Sequence, residues 1–392
     1  MTFRVQRSTV DDAIVLMLSG DIAGDHTADL ETLVNAGEGA IVLDLKDVSV
    51  VDRAGVLLLA RSEAQGATLL NCPSYVREWI LRERQFTHSE EGAGGKRSEE
   101  HSMASGVAID GREETLENKG LKVFFRSWRP STTARGAVVV VPGFNSHSGY
   151  YAWVAERLTA AGHATYAVDL RGRGRSDGER FYVDRFVDYV SDIAALMDVV
   201  KSRNPGLPVF LLGHSAGGVL ACLHTLDHPS AVAGLICESF AFQTPAPDFA
   251  LAVLKGLSHV APHAHVLRLK NEDFSRDPQV VAAMNSDPLI AHETQPTKTV
   301  AELVRSDERL KEEFGRITLP LLILHGTADK AAKSSGSQLF YDRAGSTDKT
   351  LKLYDGHFHD LLNDIGKETV MTDITAWIEA RLPGGAESGA EH

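Results

Sequence analysis

The sequence predicts an α/β protein in two parts. A small α/β sandwich comes first, and a larger α/β unit follows it, with a mostly parallel sheet, helices on both faces and a helical cap. Two observations lead to this prediction. Short apolar runs alternate with helical patterns along most of the chain, which is the order of elements in α/β folds. The runs of the larger unit are almost continuously apolar, as strands covered on both faces are.

The composition is that of an ordinary soluble globular protein, because 43% of the 392 residues are hydrophobic and 24% are charged. The formal net charge is −13, and no block of Lys or Arg stands out. This balance argues against nucleic acid and anionic membrane surfaces as partners.

The cysteines indicate the compartment. Cys72, Cys222 and Cys237 are widely spaced in apolar surroundings and lack metal-ligand spacing, so we interpret them as reduced core residues. The N-terminus has no signal-peptide pattern, and no apolar stretch approaches the roughly 18 residues of a membrane-spanning helix. We therefore expect a cytoplasmic protein without a transmembrane segment, for which peripheral contact with a membrane stays open.

One polar segment divides the chain. At about residues 88–106 it reads HSEEGAGGKRSEEHSMASG, with almost nothing to bury, which is typical of a flexible linker. The sequence thus predicts a first domain at 1–88, a linker at 89–106, a second domain at 107–384 and a disordered tail at 385–392.

In the first domain the apolar patterns predict strands and helices in alternation. The strands are expected at 3–7, 13–22, 40–48 and 67–72, and the helices at 26–35, 54–65 and 74–85. This order gives a small α/β sandwich.

The stretch IVLDLKDVSVVDRAGVLLLARSEAQGATLLNCP resembles a STAS domain, the fold of anti-sigma-factor antagonists and sulfate-transporter tails. The Asp-x-x-Gly turn of that family stands here at residues 52–55. Ala54 occupies the position of the family's phosphorylatable Ser or Thr, and it has no hydroxyl to modify. The resemblance implies a module that binds a protein partner or associates with itself, without a phosphorylation switch at this turn.

In the second domain the apolar runs predict six strands. They are expected at 136–141, 164–170, 208–212, 233–237, 319–324 and 350–354. No strand pattern appears between about 242 and 318, and we interpret this interval as a helical cap over the carboxyl edge of the sheet.

The candidate nucleophile is Ser215. The motif GHSAG, at 213–217, follows an apolar strand and opens a helical pattern. In the nucleophile elbow of α/β-hydrolases, glycines relieve crowding in a strained strand-to-helix turn that exposes the serine hydroxyl. A second match, GRSDG at 174–178, has no strand running directly into it, so we expect Ser176 in a surface loop.

A serine hydroxyl needs a base, and the base needs an orienting acid. In this fold the acid precedes the histidine along the chain. Asp329 follows an apolar strand in LHGTAD, and His359 follows the last strand in YDGHFHD. Both lie on loops at strand carboxyl ends, where such folds assemble their sites. His357 stays an alternative base.

Two backbone N–H groups are expected to stabilise an oxyanion. The N–H of Ala216, next to the nucleophile, is one donor. The loop after the strand at 136–141 reads Pro142-Gly143-Phe144, and we predict the N–H of Phe144 as the second donor.

Residues from about 121 to 382 resemble the monoacylglycerol lipase and lysophospholipase branch of the α/β-hydrolases, which is serine aminopeptidase S33-like. The matching segments, in order, are SHSGYYAWVAERL, DLRGRGRSDG, LLGHSAGG, FSRDPQVVAAMNSDPLI, HGTADK and LYDGHFHDLLND. The resemblance implies Ser215, Asp329 and His359 as the triad. It favours His359 over His357, because the family's histidine stands three residues after the Gly and before an acidic residue. Pro142 departs from the family, which usually has His there.

The predicted activity is hydrolysis of a carboxylic ester through an acyl-Ser215 intermediate, without metal or cofactor. The resemblance implies monoacylglycerols or similar single-chain lipid esters, and apolar stretches of the cap at 249–257 and 260–262 suit an acyl chain. A lysophospholipase and an amide or peptide hydrolase are alternatives. A further alternative is a lipid-sensing protein that binds a partner through its STAS-like domain.

Overall fold

The computed structural model describes residues 3–10, 13–22, 30–31, 33–34, 40–51, 53–73, 76–77, 80, 111–242 and 248–383. The chain divides into two compact units, Met1–Ser105 and Gly106–His392. The expected linker and tail lie outside the described residues, as does most of the predicted helices at 26–35 and 74–85. The domain boundaries stay predictions.

The first unit contains a four-stranded mixed sheet in the order β1-β2-β3-β4. Its elements are β1 (Arg4–Val10), β2 (Ala13–Ile22), β3 (Ala40–Val51), helix α1 (Arg53–Ala64) and β4 (Thr68–Leu70). Strand β1 is antiparallel to β2, whereas β2, β3 and β4 run parallel.

The side chains of β2 alternate between the core and the opposite face of this sheet. Leu16 and Leu18 are buried, whereas Met17 between them is 42% exposed. Val56 and Leu59 of α1 belong to the same core as the two leucines. Such alternation is typical of a sheet that is covered on one face.

The second unit contains an eight-stranded sheet in the order β14-β13-β10-β9-β7-β8-β6-β5. Its strands are β5 (Arg112–Asn118), β6 (Leu121–Trp128), β7 (Gly136–Val141), β8 (His163–Val168), β9 (Val209–His214), β10 (Gly234–Glu238), β13 (Leu321–Gly326) and β14 (Lys349–Tyr354). The first six strands in this spatial order, from β14 to β8, are parallel. Each begins and ends within two residues of the corresponding predicted strand. The predicted mostly parallel sheet is confirmed.

Eight helices of the second unit lie among the described residues. They are α2 (Ala152–Ala160), α3 (Phe186–Arg203), α4 (Ala216–Asp227), α5 (Asp248–Val260), α6 (Pro278–Ser286), α7 (Thr297–Glu313), α8 (Ser334–Arg343) and α9 (Lys367–Glu379). None of these helices, nor the described helix of the first unit, combines the length and hydropathy that a membrane crossing requires.

The helices cover both faces of the sheet, which explains why its central strands are wholly buried and almost continuously apolar. In β7, Val139 and Val141 belong to one buried cluster, which also contains Ile193 of α3. Their neighbour Val140 belongs to a second cluster, with Ile374 of α9. Successive strand residues point to opposite faces, so the two clusters lie on opposite sides of the sheet.

The interval between β10 and β13 contains helices α5, α6 and α7, as expected for the helical cap. It also contains two short antiparallel strands, β11 (His265–Leu267) and β12 (Gln295–Pro296), so the expectation of no strand was wrong here. Strands of two or three residues are too short to display an alternating apolar pattern.

The antiparallel edge β5-β6 was not predicted either. Strand β5 reads REETLEN, and it carries charges because it forms the edge of the sheet. Two of its carboxylates have partners on neighbouring elements. Glu114 accepts two hydrogen bonds of 2.7 Å from Arg203 on α3, and Glu113 lies 3.0 Å from Arg126 on β6. A search for apolar runs overlooks a strand of this kind.

Candidate active site

The turn between β9 and α4 places Ser215 at the carboxyl edge of the sheet. Its backbone has φ 56° and ψ −122°, a region that residues other than glycine rarely adopt. Ser215 donates its N–H to the Glu238 carbonyl at 2.9 Å. A Cβ on Gly213 would collide with the Gly217 carbonyl, and one on Gly217 with the Val141 carbonyl. The two motif glycines therefore make this tight turn possible.

The structure brings Ser215, His359 and Asp329 together in one hydrogen-bonded series. His359 Nε2 lies 2.8 Å from Ser215 Oγ, and His359 Nδ1 lies 2.7 Å from Asp329 Oδ2. A carboxylate only accepts, so Nδ1 carries the imidazole proton and Nε2 accepts the serine hydroxyl. The three side chains are almost wholly buried. This is the arrangement in which an imidazole removes a proton from a serine.

Asp329 is held as an anion by donors on every side. Its Oδ1 accepts the N–H groups of Ala331 and Ala332 at 2.8 and 2.9 Å. Its Oδ2 lies 3.0 Å from His325 Nε2, in addition to His359. Burial opposes ionisation, but His359, His325 and the backbone donors outweigh it and hold the pKa of Asp329 well below its usual range. Asp329 is thus ionised at neutral pH.

Sequence reasoning did not identify His325 as a hydrogen-bond partner of Asp329. Its Nε2 faces two acceptors, Asp329 and the Ala332 carbonyl at 3.4 Å, so Nε2 carries the proton. Its Nδ1 lies 2.7 Å from Ser337 Oγ, which then donates to it. A signal was available, because His325 lies in the HGTAD segment only four residues before the acid.

A cavity of about 360 Å³ opens onto the triad between the sheet edge and the cap. Ser215 and His359 line it, together with both predicted oxyanion donors, Phe144 and Ala216. The cap and its flanks contribute Ala241, Phe242, Leu267, Leu269, Phe274 and Leu303, and charged side chains at its edge are Arg268, Lys270, Asp273 and Lys330. The Ser215 hydroxyl therefore faces a mostly apolar chamber.

The structure separates the two G-x-S-x-G matches. Ser176 lies in a surface loop as expected, since Arg175 and Asp177 on either side of it are exposed, but its own side chain is buried. Its hydroxyl donates to the Asp169 carbonyl at 2.6 Å and accepts the Phe124 N–H at 2.8 Å. Both hydrogen bonds tie the loop to the sheet, which gives Ser176 a structural part.

His357, the alternative base, lies apart from Ser215. Its Nδ1 is 3.8 Å from Asp364 Oδ2, and its side chain is partly exposed. Burial and the nearby Arg276 guanidinium lower the pKa of His357. The structure places His359, not His357, against the serine.

Behind the triad lies a buried polar cluster of His214, Glu238 and Asp360. One potential ligand atom of each lies within 4.8 Å of the others, and among the described residues this is the one group that could hold a metal ion. Burial raises the pKa of Glu238 well above its usual range and that of Asp360 to about 6, and it keeps His214 neutral by lowering its pKa. Burial thus opposes charge on all three side chains of this cluster.

Comparison with known proteins identifies the second unit. Residues 132–366 match the family model described as serine aminopeptidase, S33. A monoacylglycerol lipase of Mycolicibacterium smegmatis is 34% identical over 265 residues, which are 67% of this chain and 95% of that protein. The human monoglyceride lipase is 34% identical over 267 residues, 67% of this chain and 88% of the relative.

A solved structure supports the same relationship. The crystal structure of a monoacylglycerol lipase from Paleococcus ferrophilus matches 66% of this chain and 99% of its own, with a TM-score of 0.61 and 28% identity. The likeness confirms the α/β-hydrolase fold that the sequence predicted. The chain therefore belongs to the serine aminopeptidase S33 family of α/β-hydrolases, in the branch that contains the monoacylglycerol lipases.

Proposed function

We propose that this protein hydrolyses monoacylglycerols, with Ser215 as nucleophile, His359 as general base and acid, and Asp329 as the orienting acid. The observation that carries the proposal is the hydrogen-bonded series from Ser215 through His359 to Asp329, at 2.8 and 2.7 Å, of which Ser215 and His359 line a mostly apolar cavity. Its relatives bear the names monoacylglycerol lipase and monoglyceride lipase.

The reaction follows from these positions. Ser215 Oγ attacks the ester carbon while His359 Nε2 takes its proton, and a tetrahedral oxyanion forms. The N–H of Ala216 lies in the first turn of α4, where backbone donors lack intrahelical acceptors, and we assign it and the Phe144 N–H to the oxyanion. His359 then returns the proton to the departing glycerol oxygen. Water, deprotonated by His359, releases the fatty acid and restores Ser215.

The cap supports a lipid substrate. Besides the apolar lining of the cavity, helix α5 exposes Phe249, Val253 and Val260 at 74%, 65% and 85%. Phe249 and Val253 are four residues apart and so lie on one helix face. Leu257 continues that face and is 40% exposed. An apolar helix face of this kind favours peripheral contact with a lipid surface.

The nucleophile is tested by two serine variants. Ser215→Ala is expected to lose esterase activity by several orders of magnitude and to lose labelling by a serine-reactive phosphonate. Ser176→Ala is the matched control from the second motif; it loses two hydrogen bonds of a loop but should keep phosphonate labelling. Labelling that survives Ser215→Ala and disappears in Ser176→Ala would overturn the assignment.

The substrate is tested by a panel of esters. Glycerol monoesters of medium or long acyl chains should turn over faster than triacylglycerols, which a covered cavity admits poorly. A lysophospholipid and the amide counterpart of one ester complete the panel, because a lysophospholipase and an amide hydrolase are the competing activities. Preference for either of these substrates would contradict the proposal.

We further propose that residues 1–88 form a STAS-like module that binds a partner or a second copy of itself. The support is the sequence resemblance, together with a mixed sheet and a helix α1 whose first turn contains Ala54. A chain that begins at Ser105 should keep its activity on a small soluble ester. Only the full chain, and not this truncated one, should self-associate in analytical ultracentrifugation or retain a partner. Loss of esterase activity on truncation would contradict a separate docking module.

A cytoplasmic location and a part in lipid metabolism belong to the same proposal. The cysteines Cys72, Cys222 and Cys237 are free, which favours a reducing compartment. Fractionation of the cells that produce the protein, with detection by the phosphonate probe, tests the location.

A further inference from the structure

The loop after β7 bears the proposed oxyanion donor Phe144, and a buried cation lies directly behind it. Arg173, in the loop between β8 and α3, is only 2% exposed. Its guanidinium carbon lies 4.3 Å from the centroid of the Phe144 ring, within the range of a cation–π contact. The position of Phe144 therefore depends on where the guanidinium is held.

The cap holds that guanidinium. Arg173 Nη1 donates to Glu293 Oε1, and Nη2 donates to Gln295 Oε1 at 2.7 Å. Its Nε donates to the Tyr189 hydroxyl at 3.2 Å. Glu293 and Gln295 are buried, at 4% and 1% exposure, and both belong to the cap between α6 and α7. A buried charge requires such partners, because its desolvation is otherwise uncompensated.

Glu293 also reaches the oxyanion loop itself. Its Oε1 accepts the backbone N–H of Asn145 at 3.0 Å, and the side-chain amide of Gln295 donates to the same oxygen at 2.6 Å. The Asn145 N–H is thereby occupied and is unavailable to an oxyanion. One carboxylate of the cap thus binds both the loop backbone and the cation on which Phe144 stacks.

We infer that Arg173 and Glu293 are positioning residues that set the oxyanion loop and connect its geometry to the cap. The inference rests on the proposed ester hydrolysis and extends it to residues that do not touch the substrate. When the cap is in place, Glu293 fixes the Asn145 amide and Arg173 fixes the Phe144 ring. These two anchors lie on Phe144 itself and on the residue after it, so together they hold the Phe144 N–H, the donor that we assign to the tetrahedral intermediate.

The inference predicts a change in catalysis rather than in substrate binding. A displaced donor weakens the transition state more than the ground state, so kcat falls while KM stays within about threefold. Loss of one oxyanion donor lowers kcat about 100- to 1,000-fold in serine hydrolases. Because the loop is displaced rather than deleted, we expect a loss of about 10- to 100-fold here.

The test uses the full chain and removes both charges together. Single variants leave an unpaired buried charge that endangers folding, whereas the double variant R173M/E293Q leaves a neutral core. Arg173→Lys is the conservative rescue, since it keeps the charge beside Glu293. Glu308→Gln is the matched control, because it removes another carboxylate of the cap, an exposed one whose partner is Lys255 at 2.5 Å.

Three measurements decide the outcome, all made well below the thermal midpoint of each variant. They are kcat and KM on a soluble p-nitrophenyl ester, and the affinity of a trifluoromethyl ketone, whose adduct with a serine mimics the oxyanion. The double variant should lose kcat and ketone affinity in parallel, Arg173→Lys should recover part of both, and Glu308→Gln should match the wild type.

Wild-type kcat and ketone affinity in a folded double variant would refute the inference, and so would a rise of KM alone. A failure of the proposed function looks different. The wild-type protein itself would then neither cleave the ester nor bind the ketone, and the inference would fail with it.

Discussion

Replacement of Asp329 by Asn tests the proposed triad through the position of a single proton. The Oδ1 atom of Asp329 accepts two backbone N–H groups, at 2.8 and 2.9 Å. In the variant, the amide oxygen must stay at that position, since an NH₂ group there would face two backbone donors that cannot become acceptors. His325 and His359, which lie beside Oδ2, can each change tautomer and accept. The NH₂ group therefore replaces Oδ2, which lies 2.7 Å from His359 Nδ1.

An NH₂ group donates, so His359 Nδ1 must become the acceptor and its proton must move to Nε2. That nitrogen faces Ser215 Oγ at 2.8 Å and can then no longer accept the serine proton. The wrong tautomer costs about 10⁴-fold in kcat in a serine protease triad, which corresponds to about 5 kcal/mol of transition-state stabilisation. We expect a loss of about 10³- to 10⁴-fold in Asp329→Asn.

The assay is kcat on a soluble p-nitrophenyl ester, with circular dichroism to show that the variant is folded. Asp355→Asn is the matched control, because Asp355 is an exposed carboxylate that accepts a hydrogen bond from Thr327 at 3.0 Å, outside the triad. A folded Asp329→Asn protein with kcat within tenfold of the wild type would refute the tautomer reasoning, and with it the assignment of Asp329.

Three further predictions concern the elbow, the second histidine and the sheet edge. Gly217→Ala should lower the free energy of unfolding by about 1–3 kcal/mol, because the new Cβ collides with backbone. Gly256→Ala is the control, since its Cβ would meet open space, and it should not be destabilised. Thermal melts compare the two variants. His357→Ala should keep most of its esterase kcat, and a loss as large as that of a triad variant would contradict this. A hydrogen bond from Arg203 lowers the pKa of Glu114 to about 2. Ionised Glu114 therefore stabilises the fold by about 2 kcal/mol. This contribution is present above about pH 4.5 and is lost as the pH falls towards 2. Urea unfolding should therefore show Glu114→Gln less stable than wild type at pH 7, with the difference disappearing near pH 2.

The central sheet and the meeting of the three proposed triad residues could be predicted because local chemistry determines both. Near-continuous apolar runs identify strands that are buried on two faces. The elbow is a local motif of strand, glycines and helix, and Asp329 and His359 each follow a predicted strand directly. The parallel sheet then brings the carboxyl ends of those strands to one edge, where the three side chains meet.

The remaining features depend on pairings between distant residues, which no local pattern displays. Strand β5 is polar in sequence, and its Glu114 is matched by Arg203, which lies on helix α3. The charge of Arg173 in the DLRGRGRSDG segment suggests a solvated loop, yet it is buried against Glu293 of the cap. In both cases the oppositely charged residue that stabilises the charge in its surroundings lies far along the chain.

The two serine motifs show what a motif requires from the backbone before it becomes a site. Ser215 and Ser176 occupy the same G-x-S-x-G pattern, and both side chains are buried. The hydroxyl of Ser176 donates to the Asp169 carbonyl and accepts the Phe124 N–H. The hydroxyl of Ser215 instead meets an imidazole, because β9 ends at His214 and the positive φ of 56° turns the side chain towards the cavity. The glycines alone do not distinguish the two serines; the strand that enters the turn and the helix that leaves it do.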